Sequence, residues 1–337
     1  MALRYSILDQ SPVSEGSNPG EALQQTATLA QSAEQWGYTR FWVSEHHDAP
    51  TLAGSSPEIL IAHLGAVTNT IRLGSGGVML PHYSSFKIAE NFKLLEALYP
   101  GRIDAGVGRA PGGMPRASLA LNEGRSRNTD RFPDQIDELS MYLNDAIPKD
   151  HMYYGMKATP VTPSAPPIWI LGSSMTSALL AAEKGLPYMF AHFINGEGGQ
   201  DYTRTYRERF VSDDGKEPYV GFAIFAVCQE TEDEAERVAS SLDLALSMGA
   251  QGMPSTGTPS PDKAQAYEYS KFENLLVEEN RRRMVVGNPD QVCDRLETLA
   301  QEYGADEVML VSIAYDFGAK LKTFELIAEE MIKRQTG

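Results

Sequence analysis

The chain has 337 residues, 42% of them hydrophobic, enough for one large core without disulfide or metal staples. Its 45 Asp and Glu against 29 Lys and Arg give a formal charge of −16, which disfavours nucleic acid and anionic membrane surfaces as partners. Two cysteines, Cys228 and Cys293, are too few for a disulfide framework or a Cys-rich metal site, so reduced thiols and a cytoplasmic location are expected.

The first residues show no basic stretch followed by an apolar one, so no signal peptide is expected. No apolar run approaches the length of a membrane span. Residues 4–8 read as a strand and 20–36 as a helix closed by Gly37. A second strand at 41–43 precedes a helix opened by Pro57. The third strand, 71–80, carries a glycine cluster and leads to a helix over 86–98. The fourth, 102–107, runs into a Gly/Pro-rich loop over 108–124 and a helix over 127–143. Residues 146–165 read as an irregular insertion. Strands at 167–171, 188–191 and 221–227 follow, the first of them leading into a helix that reaches Lys184. A helix over 231–248 opens with an acidic turn, and 249–265 lacks periodicity. Asn288-Pro289-Asp290 starts a helix to Tyr303, before the eighth strand at 307–311 and a last helix over 321–333.

Eight strands alternating with helices predict a parallel α/β sheet. Eight such units close naturally into a TIM (β/α)₈ barrel, with an open doubly wound sheet as the alternative. In either fold the chemistry gathers at the carboxyl ends of the strands.

The second strand ends in Ser44-Glu45-His46-His47-Asp48. Two imidazoles among carboxylates suit acid/base work, and a solvated loop is the plainer reading. Adjacent histidines lack the spacing of a helical zinc pair, so no metal is expected. At Gly74-Ser75-Gly76-Gly77 the missing Cβ atoms let a flat ligand reach the backbone, or else mark a bulge. Gly106-Val107-Gly108-Arg109-Ala110 is not a dinucleotide fingerprint, because Pro111 stands where the third glycine would fall. Arg109 suits a phosphate, or a salt bridge. Gly172-Ser173-Ser174-Met175-Thr176-Ser177 sets hydroxyls at a helix start, either to bind an anion or to cap the helix.

In this order, residues 37–47 (GYTRFWVSEHH), 73–81 (LGSGGVMLP), 101–109 (GRIDAGVGR), 181–187 (AAEKGLP) and 286–289 (VGNP) resemble the bacterial luciferase-like family of flavin-dependent monooxygenases. The resemblance covers nearly the whole chain and implies a single TIM-barrel domain over residues 1–337. It implies FMN at the C-terminal mouth, reduced and used with O₂ to oxygenate a small organic substrate through a C4a-peroxyflavin. His46 would face the flavin, with His47 beside it and Glu45 as their partner. Gly76-Gly77 match paired small residues often joined by a cis bond, although luciferase has Ala-Ala there. Arg109 and Ala110, with Gly172, Ser173, Ser174, Thr176 and Ser177, match the phosphate site. Ser173 stands where the light-emitting subunit has Glu. The stretch about 249–280 matches a mobile lid, shorter than that of luciferase, and Arg281-Arg282-Arg283 reads as a solvated basic face. A separate flavin reductase is implied, as is a homodimer formed through the helices over 57–68 and 86–98. Related barrels that transfer hydride with the deazaflavin F420, and flavin-binding barrels without turnover, are the alternatives.

Overall fold

The computed structural model describes residues 3–212 and 215–336. β1 (Arg4–Asp9) leads to α1 (Pro19–Gln35), where Asn18 accepts the Glu21 N–H and Pro19 sits in the first turn. Gly37, at φ +81°, reverses the chain into β2 (Arg40–Val43), and α2 (Pro57–Val67) follows. The predicted third strand is split at Gly76-Gly77 into β3 (Arg72–Ser75) and β4 (Val78–Met79), before α3 (Ser85–Leu98). β5 (Ile103–Gly108), α4 (Pro115–Leu121) and α5 (Phe132–Leu143) come next. Residues 146–165 hold neither helix nor strand, as expected. β6 (Ile168–Gly172), α6 (Met175–Glu183), β7 (Tyr188–Ala191), α7 (Gly199–Arg209), β8 (Val220–Cys228) and α8 (Glu232–Ala250) continue the alternation. Two helices, α9 (Pro261–Gln265) and α10 (Lys271–Arg281), fill much of the stretch before β9 (Met284–Gly287). α11 (Pro289–Tyr303), β10 (Glu307–Val311) and α12 (Phe317–Thr336) end the chain.

The strands pair in parallel, and the sheet closes. β10 meets β1 on one side (Ser6 opposite Met309) and β8 on the other (Met309 opposite Ala223). The ring is β1, β2, β3 with β4, β5, β6, β7, β8 and β10, the eight strands the alternation predicts, closed as a TIM barrel. β9 lies outside it, against the second half of the nine-residue β8. Among the described residues no helix is long and apolar enough to cross a membrane.

One apolar core lies between the strands and the helix ring, with Phe41, Phe92, Tyr188, Phe190 and Phe222 fully buried in it. A second fills the barrel itself: Leu8, Trp42, Trp169, Met189, Phe225 and Met309. Charge seals the floor at the strand starts. Arg40 donates to Glu307 and to Asp104, both at 2.7 Å, and lies 4.6 Å over the Trp169 ring. Arg72 and the Trp42 indole also donate to Asp104, and Tyr219 donates to Glu307. Buried charges persist only when paired and fully hydrogen-bonded, and these are.

Four helices have no counterpart among the predicted elements, α4, α7, α9 and α10. α7 turns only Thr203 and Tyr206 fully inward, and α10 buries Glu273 and Asn280. α7 shows no apolar stripe to read, and α10 turns its apolar residues Phe272 and Leu275 to solvent, so its burial does not follow its apolar face.

Candidate active site

At the carboxyl ends of the strands the barrel opens into a cavity of about 550 Å³, within the range of cofactor and small-molecule sites. Gly76, Gly77, Arg109, Ala110, Gly172, Ser173, Ser174, Thr176 and Ser177 all line it. They come from three strand ends and the first turn of α6. Leu8, Met79, Leu171, Met189, Ala223 and Met309 form its inner wall, and Phe193 and Ile194 a rim.

The glycines are steric requirements. A Cβ on Gly77 would stand 2.9 Å from the Gly106 carbonyl oxygen, and one on Gly106 would stand 2.0 Å from that of Ser75. Backbone thus touches backbone where β3 breaks and passes to β4, and the peptide between Gly76 and Gly77 is cis. The small-residue pair keeps its cis geometry with glycine in both places.

The opposite end of the cavity carries hydroxyls and a guanidinium. Ser177 accepts the Ser174 N–H at 3.3 Å and donates back to the Ser174 carbonyl at 2.7 Å, so its hydroxyl is committed to the turn. The Ser173 and Thr176 hydroxyls have no protein partner among the described residues. The first N–H groups of α6 point the same way. The Arg109 side chain is exposed and makes no ion pair among the described residues.

Four hydrogen bonds from three residues hold the Arg109 turn, and sequence reasoning found none of them. Arg127 donates to the carbonyls of Arg109 (2.8 Å) and Ala110 (2.6 Å). Burial, and then the charge of Arg109, lowers its pKa. His82 donates to the Pro111 carbonyl at 2.9 Å while its other ring nitrogen accepts from Asn122. The backbone N–H of His47 donates to Gly112 at 2.7 Å. An Arg and a His inside otherwise polar stretches were the only available signals.

Glu45, His46 and His47 do not line the cavity. Glu45 is joined to the cavity wall through the backbone of Met79, and His47 through Glu45. Glu45 is fully buried and accepts three bonds: from His47 Nε2 (2.7 Å), the Tyr83 hydroxyl (2.9 Å) and the Met79 N–H (3.0 Å). Tyr83 is a partner the sequence did not reveal; burial and then Glu45 raise its pKa. His46 differs. Its Nδ1 lies 3.0 Å from the Ser44 hydroxyl, and its Nε2 has no protein partner among the described residues. Burial, and then His47, lowers its pKa to about 4, so the ring is neutral near pH 7.

Among the described residues no group of three His, Cys, Asp or Glu is placed to hold a metal.

Comparison with known proteins bears on the family and the fold. The family model described as luciferase-like monooxygenase matches residues 2–307. YwcH, an uncharacterized protein of Bacillus subtilis strain 168, is 54% identical over 96% of this chain and 98% of its own length. N-acetyl-S-alkylcysteine monooxygenase of the same organism is 36% identical over 98% of each chain. The crystal structure of apo-MsnO8 matches with a TM-score of 0.91 and 37% identity over 98% of each chain. Likeness in fold alone extends further. The oxygenating constituent of a 3,6-diketocamphane monooxygenase from Pseudomonas putida, in complex with FMN, has a TM-score of 0.72 and 19% identity, covering 99% of this chain and 98% of its own. An F420-dependent secondary alcohol dehydrogenase has a TM-score of 0.68 and 14% identity, covering 98% of this chain and 99% of its own. With a barrel of this topology and a family match over nearly its whole length, the chain belongs to the luciferase-like monooxygenase family of oxidoreductases.

Proposed function

We propose that the protein uses reduced FMN and O₂ to transfer one oxygen atom to a small organic substrate. The observation that carries this is the single cavity with two unlike ends, hydroxyls and a guanidinium at one and apolar barrel wall at the other. That donor set fits a flavin mononucleotide. Arg109, Ser173, Thr176 and the first N–H groups of α6 would hold its phosphate. Gly76 and Gly77, with no side chains to interpose, would lie against its ring system. Reduced FMN, when bound, supplies the two electrons needed to activate O₂.

The remaining work falls to the protein. Leu8, Leu171, Ala223 and the cavity methionines exclude water from the reacting end. On this reading the Ser44 hydroxyl, 3.0 Å from Nδ1, donates to it, and the neutral His46 ring carries its proton on Nε2, the atom left without a protein partner among the described residues. That N–H would be the group His46 offers to the reaction. His47, engaged by Glu45, keeps the neighbouring ring in place. The stretch about 249–280 is the segment that would close the mouth.

On the same reading a separate reductase supplies the reduced flavin. The chain pairs with a second copy through α2 and α3, which expose Ile59, Leu94 and Leu98.

Titration of the protein with FMN and, separately, with F420 tests the cofactor. Trp42 and Trp169 lie in the barrel interior and report on the cavity. Quenching by FMN but not F420, followed by oxygen uptake with reduced FMN that rises when a substrate such as an N-acetyl-S-alkylcysteine is added, supports the reading. Quenching by F420 alone would replace it with hydride transfer.

A further inference from the structure

Three methionines line the cavity, and they are not equivalent. Met309 is fully buried, and Met189 is 1% exposed. A Cβ built on Gly221 would stand 2.9 Å from Met189 Sδ, so that thioether is turned toward the start of β8, away from the mouth. Met79 is 9% exposed. A Cβ built on Gly108, the residue before Arg109, would stand 3.8 Å from both Met79 Sδ and Cε. The absence of a side chain at Gly108 therefore leaves the sulfur beside the cavity wall. The Met79 backbone N–H donates to Glu45, and a Cβ built on Gly112 would stand 3.1 Å from Met79 Cγ and 3.3 Å from His47 Cδ2, so this side chain runs from the His47 side of the wall to the cavity.

Resting on the flavin reading above, we propose that Met79 is an internal oxygen acceptor. When reduced flavin and O₂ react in the cavity without substrate, one oxygen atom is transferred to Met79 Sδ. The balance closes: reduced flavin gives two electrons and two protons, one atom of O₂ forms the sulfoxide, and the other leaves as water. The sulfur is oxidised, and the flavin is returned to its oxidised form. A thioether is a good acceptor because its lone pair is available without deprotonation. The sulfoxide is polar and stands in an apolar wall, so it damps further unproductive turnover. Free peroxide in solution would act differently, attacking methionines in order of exposure. Met152 (82% exposed) and Met114 (65%) would then lead, and Met79 would trail.

This difference makes the test. The intact protein is mixed with reduced FMN and isotopically heavy O₂, with catalase present and no substrate, and then digested with trypsin. The fragment spanning 73–87 carries Met79 as its one methionine. The expected result is heavy-oxygen sulfoxide at Met79 exceeding that at Met152 or Met114 by roughly tenfold, against an exposure order that predicts the reverse. Label in order of exposure, or an unlabelled 73–87 fragment from protein whose tryptophans are quenched by FMN, overturns the inference and leaves the flavin reading standing. Absence of FMN quenching overturns both. Met79→Leu should remove the label from that fragment and slow the loss of activity during substrate-free turnover; unchanged loss would speak against the damping role.

Discussion

His47 donates from Nε2 to Glu45 Oε1 at 2.7 Å, and this bond decides which of two adjacent imidazoles is free for chemistry. The buried carboxylate takes a second bond from Tyr83 and a third from the backbone of Met79. His47 is thereby a fixture of the wall. His46, one residue earlier, points its Nε2 at no protein group among the described residues. Two histidines that look alike in the sequence have different surroundings.

If Glu45 is the clamp between β2 and β4, Glu45→Ala leaves three donors without their acceptor. Stability should fall by about 3 kcal/mol, the scale of several buried polar groups left unsatisfied. Urea denaturation gives the number. A loss near zero would mean that water replaces the carboxylate without penalty.

Arg109→Met should weaken FMN binding roughly 10- to 100-fold, the value of a charge-assisted bond to phosphate. Riboflavin has the same ring system without the phosphate, and its affinity should not change. Equal losses for the two ligands would place Arg109 away from the phosphate.

His46→Ala should lower product formed per flavin oxidised by roughly 100-fold, the usual scale for a positioned acid/base group, while FMN still quenches the tryptophans. Product yield is measured against oxygen consumed. Unaltered coupling in the variant would remove His46 from the chemistry.

Acid should destabilise the fold through its buried histidines. The His46 pKa falls from 6.5 to about 4 on folding, chiefly by burial. Between these values the unfolded chain binds the extra proton, so stability is complete above about pH 6.5 and is lost as pH falls toward 4. Burial lowers His82 and His192 in the same direction. Urea midpoints across this range should drop less steeply in His46→Asn than in the parent. An NMR titration of the ring should show it uncharged at pH 6.

Arg40→Met tests the barrel floor. It removes the shared partner of Asp104 and Glu307, both fully buried, and should cost about 3–5 kcal/mol by thermal or urea unfolding. The mouth is at the other end of the strands, so FMN affinity in the folded variant should match the parent. Coupled loss of both would show that the floor and the mouth share one structural unit.

Short apolar runs were enough to find all eight barrel strands, because strands buried on both faces carry apolar side chains in nearly every position. Residues 220–228 are the extreme case, with all nine buried. The chemistry-bearing ends were legible for a related reason: in a closed parallel barrel every strand delivers its carboxyl end to one face, so turns well separated in the chain, at Gly76, Arg109 and Ser173, must meet. Local order in the chain could not divide the labour between His46 and His47, since the division depends on where Glu45, Tyr83 and Met79 lie in space. It could not show that Arg127 and His82 hold the Arg109 turn, nor that Arg40 meets Glu307, 267 residues away. Helices α7 and α10 escaped notice because α7 buries few apolar residues and α10 buries Glu273 and Asn280 while Phe272 and Leu275 face solvent. Burial of apolar surface is written in composition and period. Hydrogen bonds between buried polar groups are set by three-dimensional proximity, and that is settled only when the chain closes on itself.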